Sequence, residues 1–179
     1  MAVVKTIQAG NPTIRAVAKP IVKVTSVPTK NLIRNLIDTM RAGGLVGIAA
    51  PQIGISKRVF VSEIRKTKFR NAGLDPLRIF INPTITWSSK KMASDWEGCG
   101  SVVNGNLFAK VKRPQSIIVE ATNEQGVNFT LKASGLLGRI IQHELDHLEG
   151  ILFTDTADRS TYMSNDEYLK MRKLEKRNT

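Results

Sequence analysis

Residues Gly135–Glu149 constrain this chain more than any other stretch. Leu136, Leu137, Ile140, Ile141, Leu145 and Leu148 recur at helical spacing, and Gly150 ends the run. A helix so apolar on one side has to be covered by other elements. The same segment carries the chain's only two histidines, in Gln142-His143-Glu144-Leu145-Asp146-His147. His143 and His147 are four residues apart, so their imidazoles leave one helix face a turn apart. Two neutral imidazoles so placed can chelate a divalent metal, and the adjacent Glu144 can take a proton from water without being a ligand. The plainer alternative is a pair of hydrogen-bonded helix histidines.

Around this helix the chain reads as α+β. Leu32, Ile33, Leu36, Ile37 and Met40 predict a helix over Asn31–Ala42, ended by Gly43-Gly44. Arg58–Glu63, Arg78–Ile85 and Ser116–Thr122 are β-branched runs bounded by turn residues, and Asn123–Gly126 turns into a further strand, Val127–Lys132. The first thirty residues read as extended and are punctuated by Pro12, Pro20 and Pro28, whereas Asn165–Lys176 reads as a polar helix. Strands and helices do not alternate regularly, which argues against a doubly wound sheet. The expectation is one domain over residues 1–179: antiparallel or mixed β-sheets around the histidine helix, an N-terminal helix, a C-terminal helix, and a basic extension from about 159 to 179.

Composition removes several classes of function. With 41% apolar and 23% charged residues the chain can bury a core, so disorder is excluded as the main state. No apolar run approaches the roughly 18 residues of a membrane span, and Met1–Gly10 lacks a signal peptide's pattern. The single cysteine, Cys99, rules out a disulfide framework. These features predict one soluble intracellular domain with no membrane partner. Lys and Arg number 27 against 15 Asp and Glu, a formal net charge of +12. That excess favours an anionic partner such as nucleic acid or an acidic surface, or else keeps two solvated surfaces soluble. It concentrates in Lys57–Arg70, with Lys57, Arg58, Arg65, Lys66, Lys68 and Arg70 against Glu63, and in Arg159–Thr179.

Two histidines leave a catalytic metal short of a third ligand. No other histidine exists, and Cys99, in Glu97-Gly98-Cys99-Gly100-Ser101, is the soft donor that fits. Its flanking glycines allow close backbone approach. Otherwise Cys99 is a small buried apolar residue. A third feature is Gly47-Ile48-Ala49-Ala50-Pro51-Gln52, a run of small residues ending in an amide that can donate to a developing oxyanion.

Taken in order, Gly47–Gln52, Glu97–Ser101 and Gln142–His147 resemble the three motifs of the peptide deformylase family, whose general forms are GxGLAAPQ, EGCLS and QHExDH. Gly10-Asn11-Pro12 with Ile14-Arg15, Phe80-Ile81-Asn82-Pro83 and Gly150-Ile151-Leu152-Phe153 extend the resemblance over most of Gly10–Asp158. It implies a metal-dependent hydrolase that removes the formyl group from N-formylmethionine on nascent or newly made proteins and releases formate. By resemblance, Cys99, His143 and His147 hold the metal and Glu144 is the general base. Gln52 and the Gly100 backbone N–H face the formyl oxygen. Gly47 presents backbone to the peptide, and Val46, Leu136 and Ile140 surround the methionine side chain. Glu97 paired with Arg113 clamps the Cys99 loop. The family's usual ion is Fe(II), with zinc, nickel or cobalt able to replace it, and zinc is what the ligand chemistry alone suggests.

Two residues depart from the family pattern. Leu45 stands where the first motif has glycine, and Gly100 where most members have leucine. Both are expected to alter peptide preference rather than the chemistry. The competing functions are a metallopeptidase built on the same helix and a weakly active deformylase-like protein that binds the ribosome or RNA. The basic stretch Lys170–Arg177 would serve either ribosome docking or solubility.

Overall fold

The computed structural model describes residues 3–67 and 73–177. Lys68 and Arg70 of the first basic run lie outside the described residues, as do the side chains of Lys176 and Arg177 and the last two residues. In chain order the elements are α1 (Pro12–Arg15), α2 (Val27–Ala42), β1 (Gly47–Ala49), a 3-10 turn (Ala50–Ile53), β2 (Val59–Ile64), β3 (Asp75–Ser88), β4 (Met92–Gly98), β5 (Leu107–Pro114), β6 (Ser116–Thr122), β7 (Asn128–Ser134), α3 (Gly135–Leu148), α4 (Phe153–Thr156), β8 (Met163–Ser164) and α5 (Asn165–Arg177).

Five strands form one sheet in the order β1-β2-β3-β6-β7, and three form a second in the order β4-β5-β8. All neighbouring strands in both sheets run antiparallel, so the mixed alternative is set aside. Period-two alternation explains how the larger sheet sits between two helices. Val59, Val61, Ile79 and Ile81 pack with Leu32, Ile33, Leu36 and Met40 of α2. The intervening Phe60 and Phe80 point the other way, into a cluster with Ile141, Leu145 and Leu148 of α3. Their rings stack with centroids 4.5 Å apart. Each such side chain, fully buried, contributes on the order of 1.5–3 kcal/mol.

The second sheet lies on the opposite side of α3, which therefore threads between the two sheets: Arg139 and His143 reach across to β4 and β5. The apolar face of the helix is covered by one sheet, and the histidine-bearing side looks toward the other.

Several boundaries differ from the sequence reading. α2 starts at Val27 rather than Asn31, because Ser26 caps it by accepting from the Thr29 N–H, and Pro28 in the first turn forfeits no helical hydrogen bond. Pro12 likewise opens the short α1 inside the segment read as extended, with Asn11 as its cap. β3 runs longer than Arg78–Ile85, and β1, β4, β5 and β8 were not expected at all. The Asn123 side chain builds the predicted turn by accepting from the N–H groups of Gln125 and Val127, with Gly126 at φ +84°.

Candidate metal centre

α3 presents His143 and His147 to the end of β4, where Cys99 follows directly on Gly98. One donor atom each from Cys99, His143 and His147 lies within 4.8 Å of the other two. Cys99 Sγ is 3.2 Å from Nε2 of His147. His143 turns its Nδ1 to Glu97 Oε2 at 2.8 Å, which leaves Nε2 as its donor for a metal. Nδ1 of His147 is buried and has no hydrogen-bond partner among the described residues. A thiolate and two imidazoles converging in this way fit a divalent ion with one coordination position open.

Glu97 is the centre of the supporting network. Arg113 donates to both of its oxygens, at 2.6 and 2.9 Å, and also to Asp146 at 2.8 Å. A second guanidinium, that of Arg139, donates to Glu97 at 2.7 Å and to the carbonyls of Val111 and Ala93. One buried carboxylate, Glu97, and one half-buried one, Asp146, thus face two buried guanidiniums, the balance such an ionic cluster needs. Burial alone would raise the Glu97 carboxyl, but the hydrogen bonds from His143 and Arg113 outweigh it and hold the group well below the usual carboxylate range. The Glu97–Arg113 pair was expected from the resemblance; Arg139 and Asp146 were not. Arg139 does share one side of α3 with His143 and His147, at four-residue spacing, but an arginine there reads as solvated until Glu97 is placed beside it.

Glu144 is 4% exposed, and its Oε2 has no partner among the described residues. Burial pushes its carboxyl up to about 7, so it can both take and return a proton near neutrality. The backbone of β1 passes directly over it: a Cβ on Gly47 would lie 2.5 Å from Glu144 Oε1. The turn after β1 carries Gln52, which is buried. Its Oε1 accepts from the Ala49 N–H at 2.8 Å, which aims Nε2 at Cys99 Sγ and Ser101 Oγ, each 3.5 Å away.

These groups line a cavity of about 520 Å³. Gln52, Cys99, Gly100, His143 and Glu144 line it, and so do Val46, Gly47, Leu136 and Ile140. Glu97 reaches its wall, Arg113 supports from behind, and His147 is buried beneath. The two departures from the family motifs are neighbours: a Cβ on Gly100 would touch Cδ1 and Cδ2 of Leu45 at 3.7 Å. Leu45 therefore borders the space that a side chain at position 100 would enter.

Fold and site together fit the class of metal hydrolases built on a His-Glu-x-x-His helix, with Cys99 placed where it could supply a third donor. The chain belongs to the polypeptide deformylase family, whose model matches residues 3–162. It is 42% identical to the peptide deformylase of Carboxydothermus hydrogenoformans over 158 residues, 88% of this chain and 95% of that one. Peptide deformylase 1 of Nostoc sp. is 40% identical over 157 residues, covering 88% and 80% of the two chains. The structure superposes on a class I type b peptide deformylase from Acinetobacter baumannii, solved with Met-Ala-Ser bound, with a TM-score of 0.81 and 32% identity over 87% of this chain and 99% of that one.

Proposed function

We propose that this deformylase removes the formyl group from N-formylmethionine at the start of newly made peptides and releases formate. The observation that carries the reading is the convergence of Glu144, the Gln52 amide and the Cys99–His143–His147 triad on one cavity. A divalent ion held by Cys99, His143 and His147 would acidify water and polarise the formyl carbonyl. Glu144 takes a proton from the water that adds to the formyl carbon. As the carbon–nitrogen bond breaks, the same carboxyl returns that proton to the departing amine. Gln52 Nε2 and the Gly100 N–H donate to the formyl oxygen as it gains charge; a single donor of this kind is worth about 10²–10³ in kcat. Gly47 offers backbone to the peptide, and Val46, Leu136 and Ile140 pack around the methionine side chain. Glu97, tied to Arg113, fixes the tautomer and orientation of His143.

Fe(II) is the ion we assign, with zinc, nickel or cobalt as replacements that the same donors accept. Among the described residues no helix is long and apolar enough to cross a membrane, and we place the reaction in the cytosol, where nascent chains emerge. Lys170 and Lys173, exposed on α5, are the groups through which it would meet ribosomal RNA, and binding there should weaken with salt.

The test is formate release from an N-formyl-Met peptide by protein purified anaerobically with iron, beside Glu144→Ala. Release that the variant lacks supports both reaction and base. No release from iron-loaded wild type would overturn the proposal.

A further inference from the structure

We infer that α5 is part of the substrate groove, and that with β4 and β5 it forms an aromatic wall selecting a bulky apolar or aromatic side chain downstream of the formylated methionine. This rests on the deformylase reading of the same cavity. The helix lies beyond residue 162, where the family match ends, and its polar composition reads as a solvated tail. Yet Tyr168, Leu169 and Arg172 line the cavity that also holds Cys99, His143 and Glu144. Residues 168, 169 and 172 share one side of a helix, and all three are half-buried, whereas Lys170, Lys173 and Leu174 are exposed.

The chemistry of the wall follows from what Tyr168 touches. Its ring stacks on Phe108 of β5, with centroids 4.1 Å apart and planes within 6°. It meets Trp96 of β4 at 5.9 Å in a tilted contact. All three rings line the cavity and none is fully buried, so part of each faces the space a peptide would enter. Leu169 adds an aliphatic contact beside them. Arg172 lies over the Tyr168 ring and is paired with Glu175, so it extends the surface without presenting an uncompensated charge.

The wall is also anchored to the metal centre. A Cβ on Gly98 would stand 2.7 Å from the Phe108 ring, so the glycine lets that ring lie flat on the strand that carries Cys99. One end of the cavity holds the reacting groups, and the aromatic wall continues from it along β4. A peptide held by its methionine would therefore lay its next residues along the rings.

The experiment compares kcat/KM for formyl-Met-Ala-Ser and formyl-Met-Phe-Ser with the full chain, in wild type, Tyr168→Ala and Tyr168→Phe. One aromatic contact supports a preference for the phenylalanine peptide of about three- to tenfold, expressed in KM. Tyr168→Ala should bring the ratio of the two peptides close to one, and Tyr168→Phe should keep it. Because a ratio is read, a general loss of activity in the variant does not imitate the result. Titration of the deformylated products, Met-Phe-Ser against Met-Ala-Ser, should show the same loss of discrimination without turnover. Equal efficiency on both peptides in wild type overturns the wall, a preference that survives Tyr168→Ala overturns the part assigned to α5, and either leaves the deformylase reading standing. Formate from neither peptide overturns that reading and the wall with it.

Discussion

Gly47 and Glu144 belong to different elements that approach more closely than side chains normally allow. A Cβ at position 47 would lie 2.5 Å from Oε1 of Glu144 and 3.0 Å from its Cδ and Cγ. Unbonded heavy atoms settle at about 3.5 Å, so Gly47→Ala demands that something move by roughly 1 Å. The strand is the less able to yield. Gly47, Ile48 and Ala49 are all buried and pair with Ser62, Val61 and Phe60 of β2. The carboxylate is freer, since its Oε2 has no partner among the described residues to hold it. Glu144 should therefore be displaced while the fold and the Cys99–His143–His147 triad stay in place. A misplacement of about 1 Å in a reacting group costs on the order of 10²-fold in rate, about 2.7 kcal/mol of barrier.

Steady-state formate release from a formyl-Met peptide reads this directly. The expected outcome for Gly47→Ala is a kcat about 100-fold lower, with KM changed little and metal content equal to wild type. In a Glu144→Asp background, where the shorter side chain has already withdrawn from the contact, the same substitution should cost far less; that non-additivity identifies the pair as the cause. A kcat within about threefold of wild type would refute the displacement argument. So would a raised KM at unchanged kcat, because the methyl would then be obstructing the peptide rather than the base.

Removing the charge of Glu97 by Glu97→Gln leaves the buried Arg139 guanidinium without a carboxylate, leaves Arg113 with Asp146 alone, and loosens His143. Stability should fall by about 3–5 kcal/mol in denaturant titrations, and metal affinity by about 10–100-fold in competition with a chelator. Leu45→Gly opens a void beside Gly100 and Gly100→Leu sets a further side chain against Leu45, so each alone should lower stability and alter peptide preference. The double exchange should recover much of both, with a coupling of about 0.5–3 kcal/mol in a double-mutant cycle; strict additivity would separate the two positions. The hydrogen-bonded ion pair from Arg15, together with the Leu152 N–H, holds Asp155 below its usual range despite partial burial. A carboxyl lowered in the folded state stabilises fully above its unfolded value, about pH 4, and loses that contribution as pH falls. The Tm difference between wild type and Asp155→Asn should accordingly be constant from neutrality down to about pH 5 and shrink below it. A difference independent of pH would contradict the pairing.

What was legible in the sequence divides along a physical line. α3 announces itself because six apolar residues at helical spacing have only one way to be buried together, and its two histidines inherit their placement from that helix. α2 is legible for the same reason, and β2 and β6 because β-branched runs bounded by turn residues have few other uses. β5 is harder to see. Its buried positions are Ala109, Val111 and Arg113, alternating with Lys110 and Lys112, so a strand with one covered face reads as a cationic loop. β4 is only partly covered, its one buried residue is the charged Glu97, and it offers no hydrophobic alternation.

The supporting shell of the site was hidden by the same effect. An arginine on a helix ordinarily marks the solvated side, and only the arrival of Glu97 from a distant strand turns Arg139 inward. Tyr168 and Leu169 look like incidental apolar residues in a charged tail until Phe108 and Trp96 are beside them. Residues that carry the chemistry are legible because metal ligation and proton transfer admit few side chains, at fixed spacing. Residues that orient them are ordinary in type and are assigned only by contact across the sheets. The same asymmetry bears on specificity. In this chain the groove is shaped by Leu45, which replaces a glycine of the first motif, and by Phe108 and Tyr168, which lie outside all three motifs, so enzymes sharing every reacting group can still differ in the peptides they take.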